Sequence, residues 1–542
     1  MTQPRRRPER LTRARGPGDN PRMTETRPPD ILTVHARNAP SKPALIHDRP
    51  DGVVVRWSFA ELEAEANRLS NTLVSLGLRR GEKLVWCGQN SPGVVRVVHA
   101  ARKVGAVAVP LNYRLTPEEA QYVVDNSDAV MAYVDAEYAG LFAKIRPQTP
   151  KLREVLVYDG APGAGQRDGD ALLAAASPAD PPLPDGEDAA QTMIYTSGTT
   201  GKPKGAVRGA GNAQQSAAML GLIGYVPDDI YLTTGPLYHS GPGGFMGIAH
   251  ALGNTVLVQK KFDAEDWLRL VDKYKVTTTF SAPTPVRLIC NLPKAVKAQY
   301  DTSSMRRFIA NAAPWSFALK QLYLADFPSD SLFEVYGSTE LGVNTILRPE
   351  DQLRKPGSCG KPAPMVEVVL FDDDGKRVTE PRVPGELAVR SPSVFATYHK
   401  AQEKFEEDKR GDFHTVGDVA YFDEEGFYYI CDRKKDMIIS GGVNIYPAEI
   451  EAVLDAHPSV LDVAVVGVPS DEWGESVHAV IVPLPDKPLT EADVLAYGRE
   501  HLAGYKIPRS VSFADEIPRN ASGKILKKVL REPFWAGRTS KV

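Results

Sequence analysis

The amino-acid sequence predicts an α/β protein, built as a large N-terminal part of several subdomains and a small α+β unit at the C-terminus. Two patterns predict it. From Ile31 onward, short apolar runs alternate with stretches whose apolar residues recur every three or four positions. Beyond residue 436 a helix, two strands and a second helix follow in close order, as a separate compact unit would. Composition agrees: of 542 residues, 42% are apolar and 25% charged, which is ordinary for a soluble globular enzyme. The length suits about three or four domain-sized units.

Taken in order, residues 1–30 (MTQPRRRPERLTRARGPGDNPRMTETRPPD) are rich in Arg and Pro and nearly free of apolar side chains. They cannot bury a core, so they are expected to be a disordered basic tail, or sequence upstream of a true start at Met23. They lack the apolar stretch of a secretory signal, and a nucleic-acid or membrane tether would rest on charge alone. A helix begins at Ser58, where Ser58 and Glu61 supply a capping box. Leu62, Ala66, Leu69, Leu73 and Leu76 then form one stripe, and Gly77 ends it. Residues 104–111, VGAVAVPL, are expected to be a buried strand closed by Pro110, and the Gly-, Pro- and Asp-rich residues 161–188 a surface linker. The dense polar run CDRKKD (431–436), between the strand-like FYYI and MIIS, marks a hinge. After it, Ile450, Val453 and Leu454 share a helical face, VLDVAVVGVP and VHAVIVPL are strands, and a second helix starts at Thr490. The expected division is a tail 1–30, an N-terminal domain 31–432 and a C-terminal domain 433–542.

The bulk numbers exclude several classes. A net charge of -3 argues against nucleic acid or an anionic membrane as the main partner. Cys87, Cys290, Cys359 and Cys431 lie far apart without a C-x-x-C pair, which suits a reducing compartment and neither a disulfide framework nor a zinc site. No apolar run approaches the roughly 20 residues of a membrane helix. A cytoplasmic location and no integral membrane segment are therefore expected; a homodimer remains compatible.

Residues 195–205, YTSGTTGKPKG, carry the chemistry. A Walker-type phosphate loop has four residues between its glycines and then Lys followed by Ser or Thr. Here Gly198 and Gly201 are two residues apart, and Lys202 precedes Pro203. The composition still suits phosphate, through close backbone approach at glycine, the hydroxyls of Thr196, Ser197, Thr199 and Thr200, and the charge of Lys204. The whole string resembles the signature loop of the adenylate-forming superfamily, which includes AMP-forming acyl-CoA synthetases, peptide-synthetase adenylation domains and luciferases. Further blocks resemble that superfamily in the same order: PLYHSGP (236–242), NAAPW (311–315), EVYGSTE (334–340), TVGDVAYFDEEGFYYICDRKKDMIISGGVNIYPAEIE (415–451) and PRNASGKILKKVLR (518–531). The resemblance runs from about residue 30 to 532 and implies a large AMP-binding domain with a small mobile C-terminal domain.

The resemblance implies two steps: a carboxylate attacks the α-phosphate of ATP to give an acyl-adenylate and pyrophosphate, and a thiol, usually of coenzyme A, then displaces AMP. It implies that Thr196, Ser197, Gly198, Thr199, Thr200 and Lys204 hold the β and γ phosphates. Thr339 would donate to the α-phosphate and Glu340 would hold Mg²⁺. Glu334, Val335 and Ala312 would frame the adenine, and Asp418 would accept from the ribose, with Arg433 beside it. This chain has V-G-D where the family usually has T-G-D, with Thr415 just before; the carboxylate is kept. Lys524 would reach from the small domain to the carboxylate and α-phosphate, and Lys435 matches the hinge. Gly441 and Gly442 would meet the pantetheine arm and Lys506 the nucleotide end of coenzyme A. His239 would abut the acyl site and gate thiol access, with a satisfied structural histidine as the alternative.

By block position the acyl pocket is lined by Gly241, Gly243, Gly244, Phe245, Ala282, Pro283, Trp315, Gly337, Gly342 and Val343, beside His239. These are small or apolar, and no acidic partner for an amino group is evident. Medium- or long-chain fatty acids lead, followed by bulky alicyclic or steroid side-chain acids, then aryl acids. The alternatives are a fatty acyl-AMP ligase serving a carrier-protein thiol, an aryl-acid CoA ligase, and a nucleotide-binding pseudoenzyme; intact Thr339, Glu340, Asp418 and Lys524 speak against the last.

Overall fold

The computed structural model describes residues 29–186, 192–196, 202–209, 211–311, 315–485, 487–519 and 524–536. Two large sheets dominate the chain up to Leu347. In the nine-stranded sheet, Leu332–Ser338, Arg307–Ala310, Thr278–Ser281, Ile230–Thr233, Thr255–Leu257 and Pro43–Asp48 run parallel, with antiparallel strands at both edges. The eight-stranded sheet has a parallel centre at Val107–Leu111, Lys83–Cys87 and Ala129–Asp135. Toward one edge it carries an antiparallel hairpin of Thr192–Thr196 with Lys204–Arg208, flanked by the short strand Thr397–Tyr398. The helices Phe59–Ser75 and Pro92–Lys103 join the sheets, because one apolar core takes Leu62, Leu69 and Val97 from them, Leu84 and Tyr133 from one sheet, and Tyr231 and Val256 from the other. Parallel strands buried on both faces need such helical cover.

The first helix of that pair forms as its sequence dictates. Ser58 Oγ accepts from the Glu61 N–H at 3.3 Å, and Glu61 Oε2 accepts from the Ser58 N–H at 2.7 Å. Leu62, Ala66, Leu69 and Leu73 are buried, Leu76 is half-buried as the C-cap, and Gly77 turns the chain with φ +85°. A six-stranded sheet follows between Glu367 and Arg433, and a five-stranded sheet with its own apolar core occupies the chain from Ile438 to Phe513. No helix among the described residues is long and apolar enough to cross a membrane. All four cysteines are free; Cys87, Cys290 and Cys359 are buried, and burial pushes the Cys290, Cys359 and Cys431 thiols up to about 12.

Some sequence expectations need correction. Asp30, placed in the tail, caps the helix Ile31–Asn38 and takes two hydrogen bonds from Arg102, at 2.7 and 2.8 Å; residues 1–28 lie outside the described residues. Pro110 does not close its strand but pairs within it, opposite Trp86, because the strand continues to Leu111. The stretch 161–188 is more than a linker: it contains the edge strand Arg167–Asp168 and the helix Gly169–Ala175, whose N-cap is Asp168. In CDRKKD, residues 431–433 complete the strand Tyr428–Arg433, so the turn is confined to 434–437.

One buried ion pair stiffens the sheet beneath the later site. Lys320, on the helix Phe317–Asp326, meets Glu334 on the strand Leu332–Ser338, and both side chains are almost wholly enclosed. Burial raises the Glu334 carboxyl above the usual range, against the pull of Lys320. A charge left alone there is costly. Lys320→Met should therefore destabilise the fold by about 3–5 kcal/mol, read as a lower denaturation midpoint, and Glu334→Gln in the same chain should recover part of the loss.

Candidate active site

The carboxyl ends of the parallel strands converge on one place. The segments that leave Ile230–Thr233, Thr278–Ser281, Arg307–Ala310 and Leu332–Ser338 open onto a single cavity of about 2370 Å³, walled on its far side by the C-terminal unit. Crevices at strand ends are where open α/β sheets bind ligands.

Thr196 and Lys204 face each other across the hairpin register at the base of the glycine-rich loop, and both line the cavity. Ser197, Gly198, Thr199, Thr200 and Ala312 lie outside the described residues. Thr196 Oγ1 donates to Glu340 Oε1 at 2.9 Å, and the Tyr398 hydroxyl donates to the same oxygen at 3.2 Å. Thr339 shares a hydrogen bond with Ser240 at 2.8 Å, and its carbonyl accepts from Arg208. Arg208 also donates to the Ser393 carbonyl at 2.9 Å, so this half-buried guanidinium ties three segments together. Asp418 is buried, accepts from the Tyr336 hydroxyl at 2.6 Å and lies 3.3 Å from Arg433.

Lys524 comes to this cluster from the C-terminal unit. It is half-buried between the two parts of the chain and lines the cavity with Thr339, Glu340, Arg433 and Lys435. Burial, then the nearby Arg433 charge, pull its ammonium below the usual lysine range, while Asp418 and Glu340 oppose the shift. Lys204, Arg433, Lys435 and Lys524 against Glu340 and Asp418 make a site suited to a multiply charged anion.

The cavity continues along the helix Ser240–Ala251 past His239, Gly241, Gly244, Phe245, Gly247 and Ile248. A side chain at Gly244 or Gly247 would meet no neighbour within 4 Å, so the wall there is bare backbone. Phe245 stacks on Phe280 with ring centroids 5.1 Å apart, and Met219 and Leu220 face the same space. Ala282, Gly337, Gly342 and Val343 line it as expected. Gly337 must lack a side chain, since a Cβ there would lie 2.2 Å from the Gly342 carbonyl oxygen.

Other expected residues fall elsewhere. Glu334 and Val335 do not line the cavity: the Glu334 carboxylate is held by Lys320 and Val335 belongs to the apolar core. Trp315 is packed in a second core against Phe308 and Tyr323. Gly243 is needed for close packing, its missing Cβ lying 2.7 Å from the Leu237 carbonyl oxygen, and Pro283 opens a helix without lining the cavity. Gly441 and Gly442 form an exposed left-handed turn, with φ +56° and +80°, away from the cavity. Lys506 is paired with Glu449 at 2.5 Å, also outside it. Tyr336, Arg208, Ser240, Tyr398 and Gly247 were not marked by residue type alone; Tyr336 and Ser240 sit inside blocks that carry the resemblance, whereas nothing local marks Arg208 or Tyr398.

Comparison with known proteins gives the same picture. The model of AMP-binding enzymes matches residues 32–399, and that of the AMP-binding enzyme C-terminal domain matches residues 449–524. A long-chain-fatty-acid–CoA ligase of Mycobacterium tuberculosis is 33% identical over 508 residues, covering 93% of this chain and 98% of the relative. A feruloyl-CoA synthase of Amycolatopsis is 35% identical over 480 residues, covering 88% and 94%. The crystal structure of ATP-bound MatB from Rhodopseudomonas palustris superposes with a TM-score of 0.82 at 31% identity, covering 93% of this chain and 99% of that one. The chain thus belongs to the family of AMP-binding enzymes and is an AMP-forming acid–thiol ligase.

Proposed function

We propose that the protein is an ATP-dependent acyl-CoA synthetase acting on a hydrophobic carboxylic acid. A carboxylate oxygen attacks the α-phosphorus of ATP and the bond to the β-phosphate oxygen breaks, releasing pyrophosphate. The thiol of coenzyme A then adds at the acyl carbon and AMP leaves. The observation that supports this best is the meeting of Lys524 with Glu340, Asp418 and Arg433 at the mouth of an apolar channel. The first step brings two anions together, so a preplaced ammonium stabilises the charge that builds.

In this reading the hairpin loop after Thr196, with Lys204, holds the β and γ phosphates. Thr339, oriented by Ser240 and Arg208, donates to the α-phosphate. Asp418, held by Tyr336, accepts from the ribose beside Arg433. Mg²⁺ fits here because it takes one or two carboxylates together with phosphate oxygens and water; Glu340 offers that carboxylate, and among the described residues no cluster of metal-ligating side chains forms a closed cage. Bound there, it would neutralise phosphate charge. Lys435, in the turn 434–437, is the pivot between the large domain, which ends with the strand at Arg433, and the small domain that follows, and turning the smaller one would carry the Gly441–Gly442 turn toward the thiol's path. Lys506 would then be placed to meet the coenzyme A nucleotide once it leaves Glu449.

For the acid, the bare wall at Gly244 and Gly247 and the apolar Met219, Phe245 and Phe280 favour a long or bulky hydrocarbon tail. Fatty acids of medium or long chain come first, bulky alicyclic acids next and aryl acids third. Cysteine usage and overall charge favour the cytoplasm.

Four measurements test this. Pyrophosphate and AMP release across fatty, alicyclic and aryl acids should show AMP formation that requires coenzyme A; pyrophosphate release without thioester would point to a carrier-protein acceptor. Lys524→Ala should abolish adenylation and spare thioester formation from supplied acyl-adenylate, whereas equal loss of both steps would count against the role given to Lys524. Because its ammonium is held below the usual lysine range, adenylation should fall as pH rises, at a lower pH than an ordinary lysine would set. The thioester step should instead gain as the thiol ionises. Gly244→Val should lower kcat/KM for long or bulky acids by about tenfold or more, as filling an apolar pocket does, and leave short acids nearly unchanged.

A further inference from the structure

The helix Pro283–Cys290 forms part of the cavity wall through Thr284, Pro285, Arg287 and Leu288. Arg287 on the same helix reaches into the C-terminal unit. Its Nη1 donates to Asp455 Oδ1 at 2.8 Å and to the Leu461 carbonyl at 2.8 Å, and its Nη2 donates to Asp455 Oδ2 at 3.1 Å. The two side chains are 23% and 7% exposed, so salt and water screen them little. A forked guanidinium on a carboxylate is also the most directional ion pair available. By contrast, the contact between Lys434 and Asp373 across the same boundary, at 2.9 Å, is 50% and 86% exposed and holds little.

The grip of Arg287 leads toward the reacting lysine. Asp455 caps the helix Pro447–Leu454, and Leu461 lies at the start of the strand Val460–Ser470. The next residue, Asp462, accepts two hydrogen bonds from Arg519, at 2.7 and 2.9 Å. Arg519 in turn forms an antiparallel bridge with Ile525, next to Lys524. Polar contacts joined by one chain step therefore run from the wall of the acyl cavity across the boundary to Arg519, which bridges to Ile525, the neighbour of Lys524.

We propose that Arg287 and Asp455 form a latch that positions Lys524 for adenylation and must open before the thioester step, so that its strength sets the balance between the two half-reactions. This rests on the two-step function proposed above. Arg287 is a positioning residue in this scheme: it acts through the placement of the C-terminal unit. With the latch intact, the orientation that encloses Lys524 is favoured. With Arg287 truncated, Asp455 is left as an enclosed carboxylate without its guanidinium. The orientation that returns Asp455 to water then gains population.

The test is Arg287→Ala, with Arg287→Lys as the conservative variant, assayed in each half-reaction separately. Acid-dependent pyrophosphate release should fall by about tenfold or more, while thioester formation from supplied acyl-adenylate holds or rises. Arg287→Lys keeps the charge without the fork and should fall between. A second readout needs no turnover: trypsin should cut the ligand-free protein after the exposed Lys434 or Lys435 faster in Arg287→Ala than in the wild type. Equal loss in both half-reactions, no change in either, or an unchanged cleavage rate would overturn the latch. If the wild type adenylates no acid while the trypsin difference persists, the functional reading fails, and with it the part given to the latch in the half-reactions, while Arg287 still holds the two units together.

Discussion

An ammonium drawn out of water keeps its proton only in the company of negative charge, and the carboxylates around Lys524 belong to the other part of the chain. Glu340 and Asp418 are themselves held by groups of the large unit: Thr196 and Tyr398 donate to one, Tyr336 to the other. The small unit therefore contributes one charge to a socket built from groups of the large unit. Preorganisation of this kind avoids reorganising dipoles at the moment of reaction, which is where most enzymatic electrostatic stabilisation originates.

The socket exists because successive parallel strands end at the same level. The segments after the strands supply the lining groups: Ser240 after the strand Ile230–Thr233, Ala282 after Thr278–Ser281, Thr339 and Glu340 after Leu332–Ser338. The hairpin Thr192–Thr196 with Lys204–Arg208 comes from the other large sheet, so the site lies where the two sheets approach each other. Arg208 holds that approach by binding carbonyls of Thr339 and Ser393 at once.

Much of this was legible from sequence, and the failures share a physical cause. The capping box at Ser58, the helices of the C-terminal unit and the grouping of Thr339, Glu340, Arg433, Lys435 and Lys524 at one cavity all follow from local pattern or from blocks of resemblance. A block, however, identifies a loop or strand and not the face a side chain takes. In EVYGSTE, Glu334 turns to Lys320 and Val335 into the core, while Gly337 to Glu340 line the cavity. Trp315 follows the same rule, its large apolar surface drawn into the core with Phe308 and Tyr323. Gly441, Gly442 and Lys506 lie on the C-terminal unit away from the cavity, since one orientation of that unit presents only one of its faces. Arg287 and Asp455 were invisible because their partnership spans 168 positions and leaves no local trace.

The buried cysteines bear on what becomes of the activated acid. A mixed anhydride with AMP is an electrophile that any nearby thiolate would intercept, and only the thiolate form attacks. Cys87, Cys290 and Cys359 are enclosed, the Cys431 thiol is pushed up to about 12, and none of the four lines the cavity. No cysteine of the chain is thereby placed to take the acyl group. A thiol that does so has to arrive from outside.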